Sequence, residues 1–373
     1  MRKSGFPATV FSSCLALLSV SCSSPSAHRN NSVPNAPSVT AGTATPLHNV
    51  AIVVDSTTAM NVVDKECKTS GIGCALAGVR TLLGELEPCR EKNSRCVGKN
   101  TNIANAGDMV SLFTFPNVTV DTAIHDYDCS RAHPTVEAYT FPPPGASSYE
   151  PLAPVNQPGR IATYQIVKYT NNYRISDKSK TLNPASDLVK AAGGVARCKP
   201  MVAIGGEGTY IAGAIYAAQA SLVAEQASRP GSINALILIT DGEVNSAVSQ
   251  LGREATNLGS YPSFIHECSQ AVTAAKAATA TGTMMYAVAY GAESAGCRTE
   301  VSGDYKGMTP CQTMQAIASS PALFYSDFSF TFNSAPCVSA AHPNPNMNAI
   351  FDEIARSIAP SLPASKKRPK RAQ

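Results

Sequence analysis

Val50-Ala51-Ile52-Val53-Val54, followed at once by Asp55-Ser56-Thr57-Thr58-Ala59-Met60, is the stretch that decides how this chain folds. A strand with one wet face alternates apolar and polar side chains; an unbroken apolar run of this length predicts a strand covered on both faces. The run then stops at a carboxylate and a row of hydroxyls. The same grammar recurs at Ala235-Leu236-Ile237-Leu238-Ile239, which is followed by Thr240-Asp241-Gly242, and Met109–Phe115 and Met284–Ala289 read as further strands. Helical spacing fills the intervals: Leu76, Val79, Leu83 and Leu86; then Ile211, Ile215, Ala218 and Leu222; then an Ala-rich stretch at about 263–281, a short helix near Thr313–Ala318, and finally Met347, Ile350, Phe351, Ile354 and Ile358. Strands alternating with helices predict an α/β domain, a doubly wound, mostly parallel sheet flanked by helices.

This domain is expected over 47–359. From about 120 to 206 the composition turns to Pro, Tyr, Thr and Asn, including Phe141-Pro142-Pro143-Pro144-Gly145, with one strand-like segment at 162–170. That region reads as a large insertion into the domain. Ahead of the domain, residues 23–46 are Ser, Pro, Ala and Asn with almost no large apolar side chains, the composition of a flexible linker.

The first 22 residues carry Arg2 and Lys3 before an apolar stretch ending near Val20, the pattern of a signal peptide. Leu18-Ser19-Val20-Ser21-Cys22 resembles the lipobox of bacterial lipoproteins, which implies membrane attachment through a lipidated Cys22; ordinary cleavage after Ser21 is the alternative. Twelve cysteines occur, and removing Cys14 and Cys22 leaves ten, an even set that in an exported chain implies disulfides. The close pairs Cys67/Cys74 and Cys89/Cys96 each suit a small closed loop, with connectivity left open. No C-x-x-C or clustered His ligands are present, so bridges are expected rather than zinc.

Hydrophobic residues at 44% exclude disorder over the whole length, and the net charge of +4 comes from the tail, where Lys366-Lys367-Arg368-Pro369-Lys370-Arg371 alone supplies more. The body is near neutral, so a nucleic-acid surface is not indicated. Residues 360–373 read as a basic disordered tail.

In a doubly wound sheet, ligands collect beyond the carboxyl ends of the strands. Asp55 and its hydroxyl neighbours, Gly208-Thr209 and Thr240-Asp241-Gly242 are expected there, and hard oxygen donors of this kind suit Mg, Mn or Ca. No H-E-x-x-H or G-x-S-x-G nucleophile motif occurs.

The order Asp55-x-Thr57-x-Ala59, a Thr heading a later helix at 209, and Asp241-Gly242 after a further strand resembles the metal-ion-dependent adhesion site of von Willebrand factor A domains. More narrowly, GGEGTYIAGAIYAAQASLVAEQ (205–226) with LILITDGEVN (236–245) is similar to the A-type domains of bacterial Tad/Flp pilus-assembly proteins. The resemblance implies that Asp55, Thr57, Thr209 and Asp241 hold Mg or Mn, with Asp55 acting largely through water. Ala59 stands where the family has a second serine, which implies a degenerate, weak site. It implies a non-enzymatic binding or adhesion module of the bacterial periplasm, outer membrane or cell surface, meeting a protein partner at the strand-end face. The competing readings are a structural envelope protein with a vestigial ion site and a metal-assisted hydrolase using Asp55 and Asp241.

Overall fold

The computed structural model describes residues 47–90, 106–115, 137–139, 163–203, 208–246, 251, 257–259, 261–292, 297–328, 336–343 and 346–358. The signal sequence with Cys22, the linker at 23–46 and the basic tail lie outside these residues. In chain order the described elements are β1 (His48–Asp55), β2 (Val63–Asp64), β3 (Thr69–Ser70), α1 (Gly71–Glu85), β4 (Met109–Phe115), β5 (Glu137–Tyr139), β6 (Thr163–Thr170), β7 (Arg174–Ser176), β8 (Ser179–Leu182), α2 (Asp187–Ala191), α3 (Ile211–Ser228), β9 (Ile233–Thr240), α4 (Glu267–Ala280), β10 (Met284–Tyr290), α5 (Pro310–Ile317), β11 (Phe324–Asp327) and α6 (Met347–Ile358), with a 3-10 turn at Thr58–Asn61 after β1.

The main sheet runs β11-β10-β9-β1-β4-β6-β5. Its first five strands in that order are parallel, and β6 and β5 continue it antiparallel. The unbroken apolar runs have the predicted cause. Val50, Ile52 and Val54 of β1, with Ala235, Ile237 and Ile239 of β9, face a core closed by α1 and α6; Ala51 and Val53, with Leu236 and Leu238, face a second core closed by α3, α4 and α5. Burial on both sides leaves no position on these strands where a polar side chain is free of cost.

The helix faces follow the same logic. Met347, Ile350, Phe351, Ile354 and Ile358 are all buried, giving α6 one apolar stripe, whereas α3 is buried around most of its circumference from Ile211 to Ala220. Gly78 of α1 is the point of closest approach to α6, since a Cβ there would lie 2.2 Å from the Phe351 ring. The short α5 begins with a capping box: Thr309 accepts from the Gln312 N–H while the Gln312 side chain accepts from the Thr309 N–H. At the amino edge of the sheet, Arg229 donates to the carbonyls of His48 and Ala106 and to Asn49 Oδ1, knotting β1 to the chain entering β4 and β9.

Disulfides join Cys268 in the first turn of α4 to Cys297 beyond β10, and Cys311 in the first turn of α5 to Cys337. Cys89 and Cys198 are also disulfide-bonded. The small loop expected from the Cys67/Cys74 spacing is not closed, and both are free thiols. The turn between β2 and β3 is held instead by Asp64, whose Oδ1 accepts the N–H groups of Glu66 at 2.7 Å and Cys67 at 3.0 Å. No helix among the described residues is long and apolar enough to cross a membrane.

Candidate functional site

The chain leaves β1 for β4 on one side and later returns to β9 on the other, so the strand order reverses between β1 and β9. A crevice at such a reversal, beyond the carboxyl ends of the strands, is where doubly wound sheets bind ligands. Because Val54 pairs with Ile239 in parallel register, the residues that follow, Asp55 and Thr240, stand side by side at that point.

Asp55 is fully buried. Its Oδ2 accepts the Thr240 hydroxyl at 2.6 Å and its Oδ1 the Thr57 N–H at 2.8 Å. Burial raises the Asp55 carboxyl above the ordinary carboxylate range, opposed by the hydrogen bonds from Thr240 and Thr57. Ser56 donates through Oγ to the Phe115 carbonyl at 3.0 Å, pinning the loop after β1 to the end of β4.

Thr57 stands at the start of the 3-10 turn and is 5% exposed; its Oγ1 makes no hydrogen bond of normal geometry among the described residues, although the hydroxyl lies close enough to the Asp55 carboxyl to act on it. A buried hydroxyl left so costs free energy, on the order of 1–3 kcal/mol. Thr209 is buried just ahead of α3, and its N–H donates to Asn245 Oδ1 at 3.2 Å, which joins it to the loop after β9. Asp241 is half-buried and accepts the Glu243 N–H through Oδ1 at 3.1 Å. Gly242 beside it has φ +76°, and a Cβ would lie 2.9 Å from Met314 Cγ and 3.1 Å from the Pro310 carbonyl, so this turn requires glycine.

The four sequence-predicted residues therefore fall at one sheet edge, Asp55 at the end of β1 and the other three on loops. Asp55 and Thr57 are bonded directly, Asp241 follows the threonine bonded to Asp55, and Thr209 is tied to the loop that Asp241 opens. Two carboxylates and two hydroxyls form an oxygen-only donor set, the type a hard divalent cation requires. The unsatisfied Thr57 hydroxyl fits such an ion. Ala59, on the 3-10 turn, contributes no donor.

No family model matches this chain. No curated protein matches it either. Among solved structures it is similar to the open conformation of the pilus adhesin SpaC from Lactobacillus rhamnosus GG, with 15% identity, a TM-score of 0.45 and coverage of 84% of this chain and 30% of SpaC. The PilB minor pilin from Streptococcus sanguinis gives 11% identity and a TM-score of 0.38, with coverage of 84% of this chain and 62% of PilB. The human COPII-coat protein Sec24c gives 10% identity and a TM-score of 0.33, with coverage of 85% and 33%. This chain thus spans less than two thirds of each. Likeness at that level extends to an adhesin, a pilin and a vesicle-coat protein alike, so it does not separate functions.

Two residues with clear roles at the edge lie outside the predicted set. Thr240 donates to Asp55, and its oxygen also accepts the Gly242 N–H at 3.1 Å; Asn245 reaches the helix that Thr209 precedes. Thr240 was legible in principle: a hydroxyl ends the second apolar run at the position where a carboxylate ends the first.

Proposed function

We propose that this chain is an exported, non-enzymatic binding module of the von Willebrand factor A type, linked to Tad/Flp pilus assembly, that engages a protein partner at the strand-end face. Thr57, Thr209, Asp55 and Asp241 are the residues to hold Mg or Mn there, and a bound cation supplies a positive centre for a partner carboxylate. The observation that carries this reading is the buried Thr57 hydroxyl without a well-formed hydrogen bond, beside a buried carboxylate at the point where the strand order reverses. Export is supported by the disulfides, which persist in oxidising compartments.

Calorimetric titration of the full chain with Mg and Mn tests the reading. The parent is expected to bind weakly and Asp241→Ala not at all. Ala59→Ser is expected to bind about tenfold tighter, one added ligand contact contributing roughly 1.5 kcal/mol. If the Ser variant binds no better and Asp241→Ala changes nothing, the site is vestigial and a structural envelope role replaces the binding one.

A further inference from the structure

A second cluster of metal-ligating groups lies apart from the strand-end oxygens. Cys67 lies in the β2–β3 turn, Cys74 is buried in the first turn of α1, and Asp64 ends β2. One carboxylate oxygen and the two sulfurs all lie within 4.8 Å of one another. Tetrahedral zinc, with Zn–S bonds of about 2.3 Å, sets ligand sulfurs about 3.8 Å apart, so closure on an ion needs a movement of an ångström or less.

The carboxylate is already oriented. Asp64 Oδ1 accepts two backbone N–H groups, and Oδ2 accepts the hydroxyl of Tyr290 at 2.6 Å, delivered from the end of β10, 226 positions away. Tyr290 is itself buried, and Gly71 makes room for it, since a Cβ there would lie 2.7 Å from the ring. An outer partner of this kind fixes a ligand's direction while leaving its remaining lone pair for a metal. The side away from Asp64 opens into a cavity of about 480 Å³ bounded by Cys67, Cys74, Glu66, Arg80, Asn346 and Asn348, which supplies both a route in and room for a water.

From this arrangement we infer that Asp64, Cys67 and Cys74 bind one divalent cation of the zinc class, with the fourth position open to the cavity. Two thiolates select such an ion over Mg or Ca, which separates this site from the strand-end one. Each thiol gives its proton to solvent on ligation. The spacing alone carries no zinc signature, because the third ligand and its orienting tyrosine come together only in the fold.

The test uses the full chain purified without reductant, so that its disulfides stay intact, and Co²⁺ as the probe. One Co²⁺ per chain is expected to bind with a near-ultraviolet thiolate-to-cobalt band that Zn²⁺ abolishes by displacement. Cys67→Ser, at a solvent-accessible position, is expected to lose the band while keeping the parent's circular dichroism, and Cys74→Ser to lose it as well. Tyr290→Phe is expected to weaken affinity about 10–100-fold through misorientation of Asp64. Peptide mapping that finds Cys67 bridged to Cys74 in the untreated protein, or a band that survives Cys67→Ser, overturns the assignment.

Discussion

The Thr240 hydroxyl donates a 2.6 Å hydrogen bond to Asp55 Oδ2, joining the last residues of two neighbouring parallel strands that lie 185 positions apart in sequence. It spans the gap where the strand order reverses, so the bond both closes that gap and stabilises a buried charge. Thr240→Val is expected to cost about 1–3 kcal/mol, because it strips one donor from a buried carboxylate. Thr240→Ser keeps most of the loss at bay. Urea unfolding at pH 7 checks this, and a Val variant that unfolds at the parent's midpoint removes the bond's claim to any stabilising role.

The Thr57 hydroxyl gives the opposite expectation. It makes no well-formed hydrogen bond, so the near-isosteric Thr57→Val is expected to leave stability in chelator within about 0.5 kcal/mol of the parent, or to raise it. The same variant is expected to abolish any rise in Tm produced by Mn. A loss of stability well above that figure in chelator shows that the hydroxyl is bonded after all.

Glu267 predicts a pH dependence. Burial pushes its carboxyl up to about 8, and the nearby Glu300 charge acts in the same direction, against hydrogen bonds from Ser246. A folded-state value above the unfolded one means the folded protein holds the proton more tightly. The resulting stability is fully present below the ordinary carboxylate range and is lost as pH rises through about 8. Urea midpoints are expected to fall between pH 5 and 9, and Glu267→Gln to flatten that fall. A parent curve that instead rises over this window contradicts the assignment.

The Cys268–Cys297 bridge closes a loop with a sequence separation of 29. Replacing both with Ala is expected to cost about 2–4 kcal/mol, on the loop-entropy account of cross-links. Chemical denaturation of the double variant, compared with the parent under non-reducing conditions, gives the value directly.

At the helix contact, Gly78→Val drives a side chain into the Phe351 ring and is expected to cost about 1–3 kcal/mol through overpacking. Phe351→Leu added to Gly78→Val is expected to recover part of that loss, a non-additivity that a double-mutant cycle measures.

What the sequence discloses follows from where burial is two-sided. The β4 run, Met109–Phe115, coincides with its predicted bounds although Ser111 and Thr114 are buried within it, and the β1 and β9 runs extend the predicted ones by only a residue or two at either end, because their apolar stretches are covered on both faces. The four-residue β11, Phe324–Asp327, mixes apolar residues with Ser and Asp and leaves no such trace. The strand at 163–170 was legible, but its antiparallel seat beside β4 was not, since register is a property of two segments at once. Asp55, Thr57, Thr209 and Asp241 stood out because they lie just after apolar runs or head a helix, and their ligand roles came from the resemblance to the adhesion-site motif. Tyr290 belongs to no local pattern with the turn that its hydroxyl reaches, and the cysteine spacing suggested a bridge in that turn, which the Asp64 carboxylate holds instead.

The meeting of Phe351 with Gly78 sets a timetable for the chain's maturation. The apolar surface of β1, β9 and α1 exists early in synthesis, but its cover, α6, is made of residues 347–358 and comes last. Until those residues leave the ribosome, the side of Val79 and Leu82 that α6 covers stays open, and contacts this distant in sequence form late. A stop codon shortly before Met347 is therefore expected to yield a product with an open core rather than a slightly shorter protein.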